Sequence, residues 1–267
     1  MNLYIKEMKF NLKSFLIWSL VFILFLSMYV PMTDLILDEA DAMLSFLDSL
    51  PKFLVSAFNL DKDLFTKPEG IFGGEGMSFI YILGAIFIAS MVGNIFAKEY
   101  ENKTIEYLIV KPLSRKDIFI QKLLCLISYT ILLNLIFTFV MLIEFKLLVN
   151  YPYNQNVLIA FGYYSFVSQF FFLGISMISS IFFQKSSMNT LISLAVVIYM
   201  YFGNTLAKMS EKLILISRMS IYNYIPITDT IIEGKFYYVN GLFIIFISLI
   251  LMAVSYLIFI KKDIKID

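Results

Sequence analysis

The sequence predicts an all-α membrane protein with six transmembrane helices, and three observations support this fold class. The chain has 267 residues, of which 60% are hydrophobic and only 15% are charged, whereas a soluble domain is about 25% charged. Its mean hydropathy is +0.83. Six apolar runs approach the roughly 20 residues that a helix needs to cross a bilayer. One water-soluble core of this size could not bury so many apolar residues.

The six predicted spans cover residues of about 14–32, 77–97, 118–143, 157–183, 188–207 and 240–260. The first run is too long for the hydrophobic part of a signal peptide and lacks a small-x-small cleavage site, so we interpret it as a retained span. Together the spans predict a single transmembrane domain over residues 1–267.

The distribution of Lys and Arg predicts cytoplasmic termini. With six spans, both termini share one side of the membrane with the segment 98–117, and that side holds 13 of the 21 Lys and Arg residues but only 7 of the 20 acidic ones. The termini and the segment 98–117 are therefore predicted to be cytoplasmic. We also expect a multi-pass protein of the plasma membrane in a bacterial cell. A miscounted span would invert the second half of this topology.

Three segments outside the predicted spans have amphipathic character. Residues 1–13 alternate apolar and Lys positions, which predicts an interfacial helix, with a plain positively charged flank as the alternative. Residues 33–76 carry apolar residues near helical spacing and end in the Gly-rich stretch GIFGGEG. They predict short amphipathic helices on the outer surface. Residues 208–239 are too apolar for a plain loop and predict a partly re-entrant segment buried against other helices.

The densest polar segment lies between the second and third spans, over residues 98–117. Residues 98–110 favour a helix because they contain neither Gly nor Pro, and the step into Pro112 ends it. Ser114, with Asp117 three residues later, is a capping-box pattern that opens the next helix. Such a rigid element suits insertion into a groove on a soluble partner, although an ordinary solvated loop would show the same pattern.

The run AKEYENKTIEYLIVKPLSRKDIFIQKLL resembles the signature of ABC-2 type permeases, the membrane subunits of a large class of ABC exporters. In that family a Glu after the second span is followed by Gly-Thr or Lys-Thr, a Leu-rich stretch, Pro, a Ser-Arg pair and a Lys. The matching positions are Glu99 or Glu101, Thr104, Leu108, Pro112, Ser114, Arg115 and Lys122. Lys103 stands where Gly is more common. Residues 221–238 and 259–267 also resemble the family's stretch before the last span and its C-terminal ending.

The resemblance implies a permease subunit of an ATP-driven exporter. Two permease subunits, identical or different, would join two cytoplasmic ATPase subunits, with ATP and Mg²⁺ bound by the ATPase and membrane lipid around the complex. Residues 98–117, here called the coupling segment, would pass the closure of the ATPase to the membrane helices. Its ATPase-coupling residues would be Glu99, Glu101, Thr104, Glu106, Leu108, Pro112, Ser114 and Arg115.

Within the spans, small and polar residues suggest two roles. Ala85, Ala89 and Gly93 recur every fourth position and predict a helix-packing stripe, unless they are ordinary small-residue usage. A second set of polar residues could line a translocation path or could form helix–helix hydrogen bonds, and it comprises Asn134, Ser165, Gln169 and Ser176. Polar groups at this depth are costly unless they face protein or water.

Several functions are disfavoured by what the sequence lacks. It has no histidine and only one cysteine, Cys125, which removes disulfides, Cys/His metal sites and histidine-dependent catalysis. No P-loop motif occurs, so we expect no enzyme activity and no cofactor on this chain. A net charge of +1 argues against a nucleic-acid partner.

The cargo is not encoded in any motif. The aromatic content and the lack of ionisable residues in the middle of the spans favour a hydrophobic or amphipathic cargo, such as a peptide or a drug. A non-transporting membrane scaffold or immunity protein is the alternative, and an intramembrane enzyme is a weaker one because the spans offer no catalytic set.

Overall fold

A computed structural model of the chain describes residues 3–40, 42, 45, 49–51, 62–101, 114–183, 185–207 and 214–261. Over these residues the protein is helical and without strands, and six helices are long and apolar enough to cross a membrane. The predicted fold class and the number of spans are therefore confirmed.

The six long helices are α1 (Leu3–Asp38), α2 (Pro68–Ala97), α3 (Arg115–Leu148), α4 (Gln155–Phe182), α5 (Ser186–Ala207) and α8 (Tyr238–Lys261). Between α5 and α8 lie two shorter helices, α6 (Ile214–Met219) and α7 (Ile227–Glu233), joined by the 3₁₀ turn Ile221–Asn223. A further 3₁₀ turn, Lys62–Thr66, precedes α2.

The most buried long helix is α4, which contacts α2, α3, α5 and α8. The first helix packs along α3, and the two run parallel. Aromatic pairs mark their contact, with ring centroids 4.9 Å apart for Phe15 and Tyr129 and 6.0 Å apart for Phe22 and Phe137. Trp18 also meets Phe87 of α2 edge to face, at 6.1 Å. The helices therefore surround α4, with α1 on the flank formed by α3.

The N-terminal segment is helical, as expected, but it does not form a separate interfacial helix. It continues without a break into the first span to make the 36-residue helix α1. Leu3, Glu7 and Asn11 are buried at every fourth position, while Lys6 and Lys9 are exposed. Because this stripe packs on α3, the first turns of α1 continue in the direction of the membrane span and do not lie along the membrane surface.

The Gly-rich stretch that we assigned to the outside segment is part of α2. The helix begins at Pro68, passes through the π-helical turn Phe72–Gly76 and continues to a second π-helical turn, Gly93–Ala97. A Cβ atom on Gly73 would come within 2.6 Å of Phe161 on α4. Close helix packing therefore accounts for the glycine at position 73. Of the segment predicted to form surface helices, residues 33–38 are the end of α1 and residues 68–76 the start of α2, while residues 41, 43–44, 46–48 and 52–61 lie outside the described ranges.

The segment before the last span packs some of its apolar residues against α2 and α4. Ile221, Tyr222 and Ile225 are all buried. The Tyr222 ring lies 4.6 Å from that of Tyr81 on α2, and its hydroxyl is 3.1 Å from Ser168 Oγ on α4. These contacts cover part of the segment's apolar surface, whereas Ile214, Leu215 and Met219 are exposed.

Acidic side chains hold the connection between α3 and α4 at the end of the molecule where α1 ends and α2 begins. The backbone N–H of Asn150 donates to Asp34 Oδ2 at 2.7 Å, and that of Asn154 donates to Glu69 Oε1 at 3.1 Å. Glu69 is buried at the start of α2. The short α3–α4 connection is therefore anchored to both α1 and α2.

Candidate functional site

The third span begins with the capping box that the sequence predicts. The Asp117 backbone N–H donates to Ser114 Oγ at 3.1 Å, and the Ser114 backbone N–H donates to Asp117 Oδ2 at 3.3 Å. Two N–H groups at the start of α3 are thereby satisfied. The chain therefore leaves the coupling segment through a defined helix start.

Both ends of the coupling segment contact other helices. The Arg115 guanidinium donates from Nη1 to the carbonyl of Ile260, near the end of α8, at 3.4 Å. At the other end, after the turn Lys98–Glu101, the Ser186 backbone N–H at the start of α5 donates to Glu101 Oε2 at 3.4 Å. Of the predicted ATPase-coupling residues, Thr104, Glu106, Leu108 and Pro112 lie outside the described ranges, and the Glu99 side chain is not described.

An aromatic cluster joins the helices just beyond the coupling segment. Phe96 of α2, Phe119 of α3 and Phe259 of α8 lie in mutual contact, with ring centroids 5.4–6.1 Å apart. All three side chains are buried. The two helices that flank the coupling segment therefore meet each other and the last helix at one junction.

A buried ion pair lies beside this cluster. Lys122, only 1% exposed, donates to Glu7 Oε1 at 2.9 Å and to the Ile95 carbonyl at 2.5 Å. Asn11 donates to the other oxygen of Glu7 at 3.3 Å. Lys122 matches the family pattern, but its pairing with Glu7 was not among the predictions from the sequence. The four-residue spacing of Glu7 and Asn11 on α1 was the available signal.

Three of the four residues predicted for a translocation path form one buried cluster. Asn134 Nδ2 donates to Gln169 Oε1 at 2.8 Å, and Gln169 Nε2 donates to Asn134 Oδ1 at 3.3 Å and to Ser165 Oγ at 3.1 Å. Ser176 lies apart from this cluster, with its hydroxyl 2.6 Å from that of Ser193 on α5. In this structure Asn134, Gln169 and Ser176 link helices, Ser165 bonds within α4, and the role of all four in a path stays a prediction.

The small-residue stripe on α2 faces α5 of the same chain in its second half. Asn189 Nδ2 donates to the Ala89 carbonyl at 3.1 Å, and a Cβ atom on Gly93 would overlap Ser186 Oγ. Ala85 is fully buried. Such close contact requires small residues at these positions.

Among the described residues, no group of three or more Cys, Asp or Glu side chains is arranged to hold a metal ion. The candidate site instead consists of a capped helix start, an aromatic cluster and a buried ion pair, all next to the coupling segment. A separate amide cluster lies inside the bundle. These contacts fix the positions of the helices around the coupling segment.

A sequence profile of the family described as ABC-2 family transporter protein matches residues 1–264, nearly the whole chain. The chain belongs to the ABC-2 transporter family. The resemblance carried by the coupling segment and the two C-terminal stretches is thereby confirmed. No individual curated protein matches the chain.

Membership places the chain in a known class of membrane component. ABC-2 permeases are the transmembrane part of ABC transporters, generally not themselves catalytic, and they associate with ABC ATPases. Together with the six apolar helices, this makes the chain a multi-pass membrane protein.

Proposed function

We propose that this ABC-2 protein is the membrane-spanning subunit of an ATP-driven exporter in the plasma membrane of a bacterium. Two copies, or one copy and a related permease, would bind two ATPase subunits, which hold ATP and Mg²⁺. The observation that carries the proposal is the family match over residues 1–264. The capped helix start at Ser114 supports it, because it lets the coupling segment push on α3 as a rigid body.

The proposed cargo is hydrophobic or amphipathic, such as a peptide or a drug-like molecule. The buried amide cluster of Asn134, Gln169 and Ser165 is uncharged, and the one ion pair described inside the bundle, between Lys122 and Glu7, lies near the coupling segment. A route past neutral amides and aromatic rings would suit a cargo without a localised charge.

The test is co-purification with an ABC ATPase, which we expect the neighbouring reading frame to encode. We expect tagged permease to retain that ATPase through detergent extraction. Reversal of the charges at Glu101, Glu106 and Arg115 should reduce the retained ATPase about tenfold or more, because like charges would then oppose the docking surface.

The matched control reverses two charges at a distance from the coupling segment. Glu233 and Lys235 form an exposed ion pair of 2.6 Å beside α7. The double variant Glu233→Lys/Lys235→Glu should retain the ATPase fully. Equal retention by the coupling-segment variant would show that those residues do not dock the ATPase, and no retained ATPase at all would favour the scaffold or immunity-type protein.

A further inference from the structure

The coupling segment leaves from the end of α2 and returns at the start of α3, and one side chain bridges these two arms. Lys122 extends from α3 and donates to the carbonyl of Ile95 on α2 at 2.5 Å. That carbonyl belongs to the π-helical turn Gly93–Ala97. Such turns interrupt the regular hydrogen-bond ladder and are frequent at functional sites. The bridge lies about two helical turns into α3 from Ser114.

An ammonium group buried to 1% exposure needs a counter-charge, and the N-terminal helix supplies it. Glu7 Oε1 lies 2.9 Å from Lys122 Nζ, and Asn11 donates to Glu7 Oε2 at 3.3 Å. The Lys122 ammonium also lies 5.6 Å from the centre of the Phe96 ring. A buried ion pair contributes to one defined geometry only when its remaining hydrogen-bonding groups are satisfied. Here both carboxylate oxygens have donors.

Another contact between these two arms is aromatic. Phe96 and Phe119 meet with ring centroids 5.5 Å apart, and this contact contributes apolar packing but no hydrogen bond. By contrast, α1 is held to α3 along its length by side chains such as Ser27, which donates to Glu144 at 2.6 Å. The hydrogen bond from Lys122 to Ile95 therefore joins α2 to the pair formed by α1 and α3.

We propose that Lys122 is a positioning residue that ties the two arms of the coupling segment together, with Glu7 as the counter-charge that keeps the tie in place. The N-terminal helix thereby becomes part of the coupling device. When the ATPase displaces the coupling segment, the tie makes the end of α2 move with α1 and α3. This inference rests on the proposed function, because it requires an ATPase that moves the segment.

The test measures the distance between the two arms in the permease–ATPase complex. Spin labels are placed at Lys98→Cys, which is exposed just after α2, and at Phe139→Cys, which is exposed on α3. Residues 122 and 139 are separated by about 25 Å along the helix, within range of pulsed electron resonance. The background carries Cys125→Ala, since Cys125 is the single native cysteine.

In the parent protein we expect the same narrow distance distribution without nucleotide and after trapping with ATP, Mg²⁺ and vanadate. The double variant Glu7→Gln/Lys122→Met removes both charges together, so that neither is left buried alone. Its distribution should broaden, and its mean should shift on trapping. The ATPase activity that depends on the permease should fall about tenfold, while the amount of bound ATPase stays unchanged. A tenfold change lies within the range of coupling measured between distant sites in proteins.

A charge swap separates a tie between the arms from a purely structural ion pair. Glu7→Lys/Lys122→Glu restores an ion pair between α1 and α3, but a carboxylate cannot donate to the Ile95 carbonyl. The swap should therefore behave like the neutral variant, and it also keeps the test open if the neutral variant fails to fold. Lys13→Met, which removes an exposed lysine on α1, serves as the control and should match the parent.

Three outcomes would overturn the inference while leaving the proposed function intact: a shift on trapping in the parent, an unshifted narrow distribution in the neutral variant, or full restoration by the swap. Failure to capture any ATPase is a different result. It would overturn the proposed function, and this inference with it, before any distance is measured.

Discussion

At the scale of single residues, the amide cluster shows how polar groups are accommodated inside the bundle. Asn134 and Gln169 exchange two hydrogen bonds between α3 and α4, and Asn134 also donates to the Thr130 carbonyl at 2.9 Å. Gly84 of α2 lies against this pair, since a Cβ atom there would be 2.8 Å from Gln169 Cγ. The cluster therefore fixes three helices at one depth.

We expect Asn134→Ala and Gln169→Ala to be strongly non-additive. A double-mutant cycle of unfolding in detergent should give a coupling free energy of about 0.6–1.7 kcal/mol, the range measured for hydrogen bonds between membrane helices. Ser248→Ala, which removes only a bond within α8 to the Ile244 carbonyl, is the control. Additive effects would contradict the pairing, and loss of transport without loss of stability would favour a role in the path.

The contact between Gly93 and Ser186 predicts a substitution that can be rescued. Gly93→Ala should destabilise the protein by about 1–3 kcal/mol, because the new methyl group overlaps Ser186 Oγ in a packed interface. Gly93→Ala/Ser186→Gly should recover much of that loss. Thermal unfolding in detergent measures the stability of the single and the double variant. If the double variant is as unstable as the single one, the overlap with Ser186 is not the cause of the destabilisation.

At the scale of elements, the start of α3 depends on one side chain. Ser114→Ala should lower the free energy of unfolding by about 1 kcal/mol, because the N–H of Asp117 loses its acceptor. Ser114→Asp retains an acceptor and should behave nearly like the parent. Circular dichroism during thermal unfolding would measure this difference, and equal stability of the two variants would show that the cap contributes nothing.

Hydropathy predicts the six long helices because each must satisfy its backbone internally and present apolar side chains to lipid. The same rule fails at GIFGGEG. The sequence places this stretch in the outside segment, but in α2 its glycines allow close contact with neighbours such as Phe161. Such a contact depends on the residue opposite the glycine, and a single sequence does not give that information.

The candidate site was predictable only where its parts are local. The Ser114 capping box spans four residues and follows from the sequence, and the coupling segment has a recognisable order of residues. The ion pair of Glu7 and Lys122 joins positions 115 residues apart in the chain. No periodicity connects such residues, so their meeting follows only from the packing of α1 on α3.

At the scale of the whole molecule, the expected orientation places Glu101 in the cytoplasm and Tyr151 outside. In intact cells, a membrane-impermeant maleimide should label Tyr151→Cys, which is exposed between α3 and α4, but not Glu101→Cys. Permeabilised cells should show labelling of both. Native Cys125 is buried and should give little background. Labelling of Glu101→Cys in intact cells would reverse the topology and exclude ATPase docking at the coupling segment.

The contact of Trp18 with Phe87 has a practical consequence for spectroscopy. This indole is the only one in the chain, and it lies where the first two helices meet. Emission excited at the red edge of indole absorption, where the 17 tyrosines contribute little, therefore comes from one known place. A change in its wavelength or quenching on adding a transported compound would report altered surroundings at the contact between these helices, without any engineered probe.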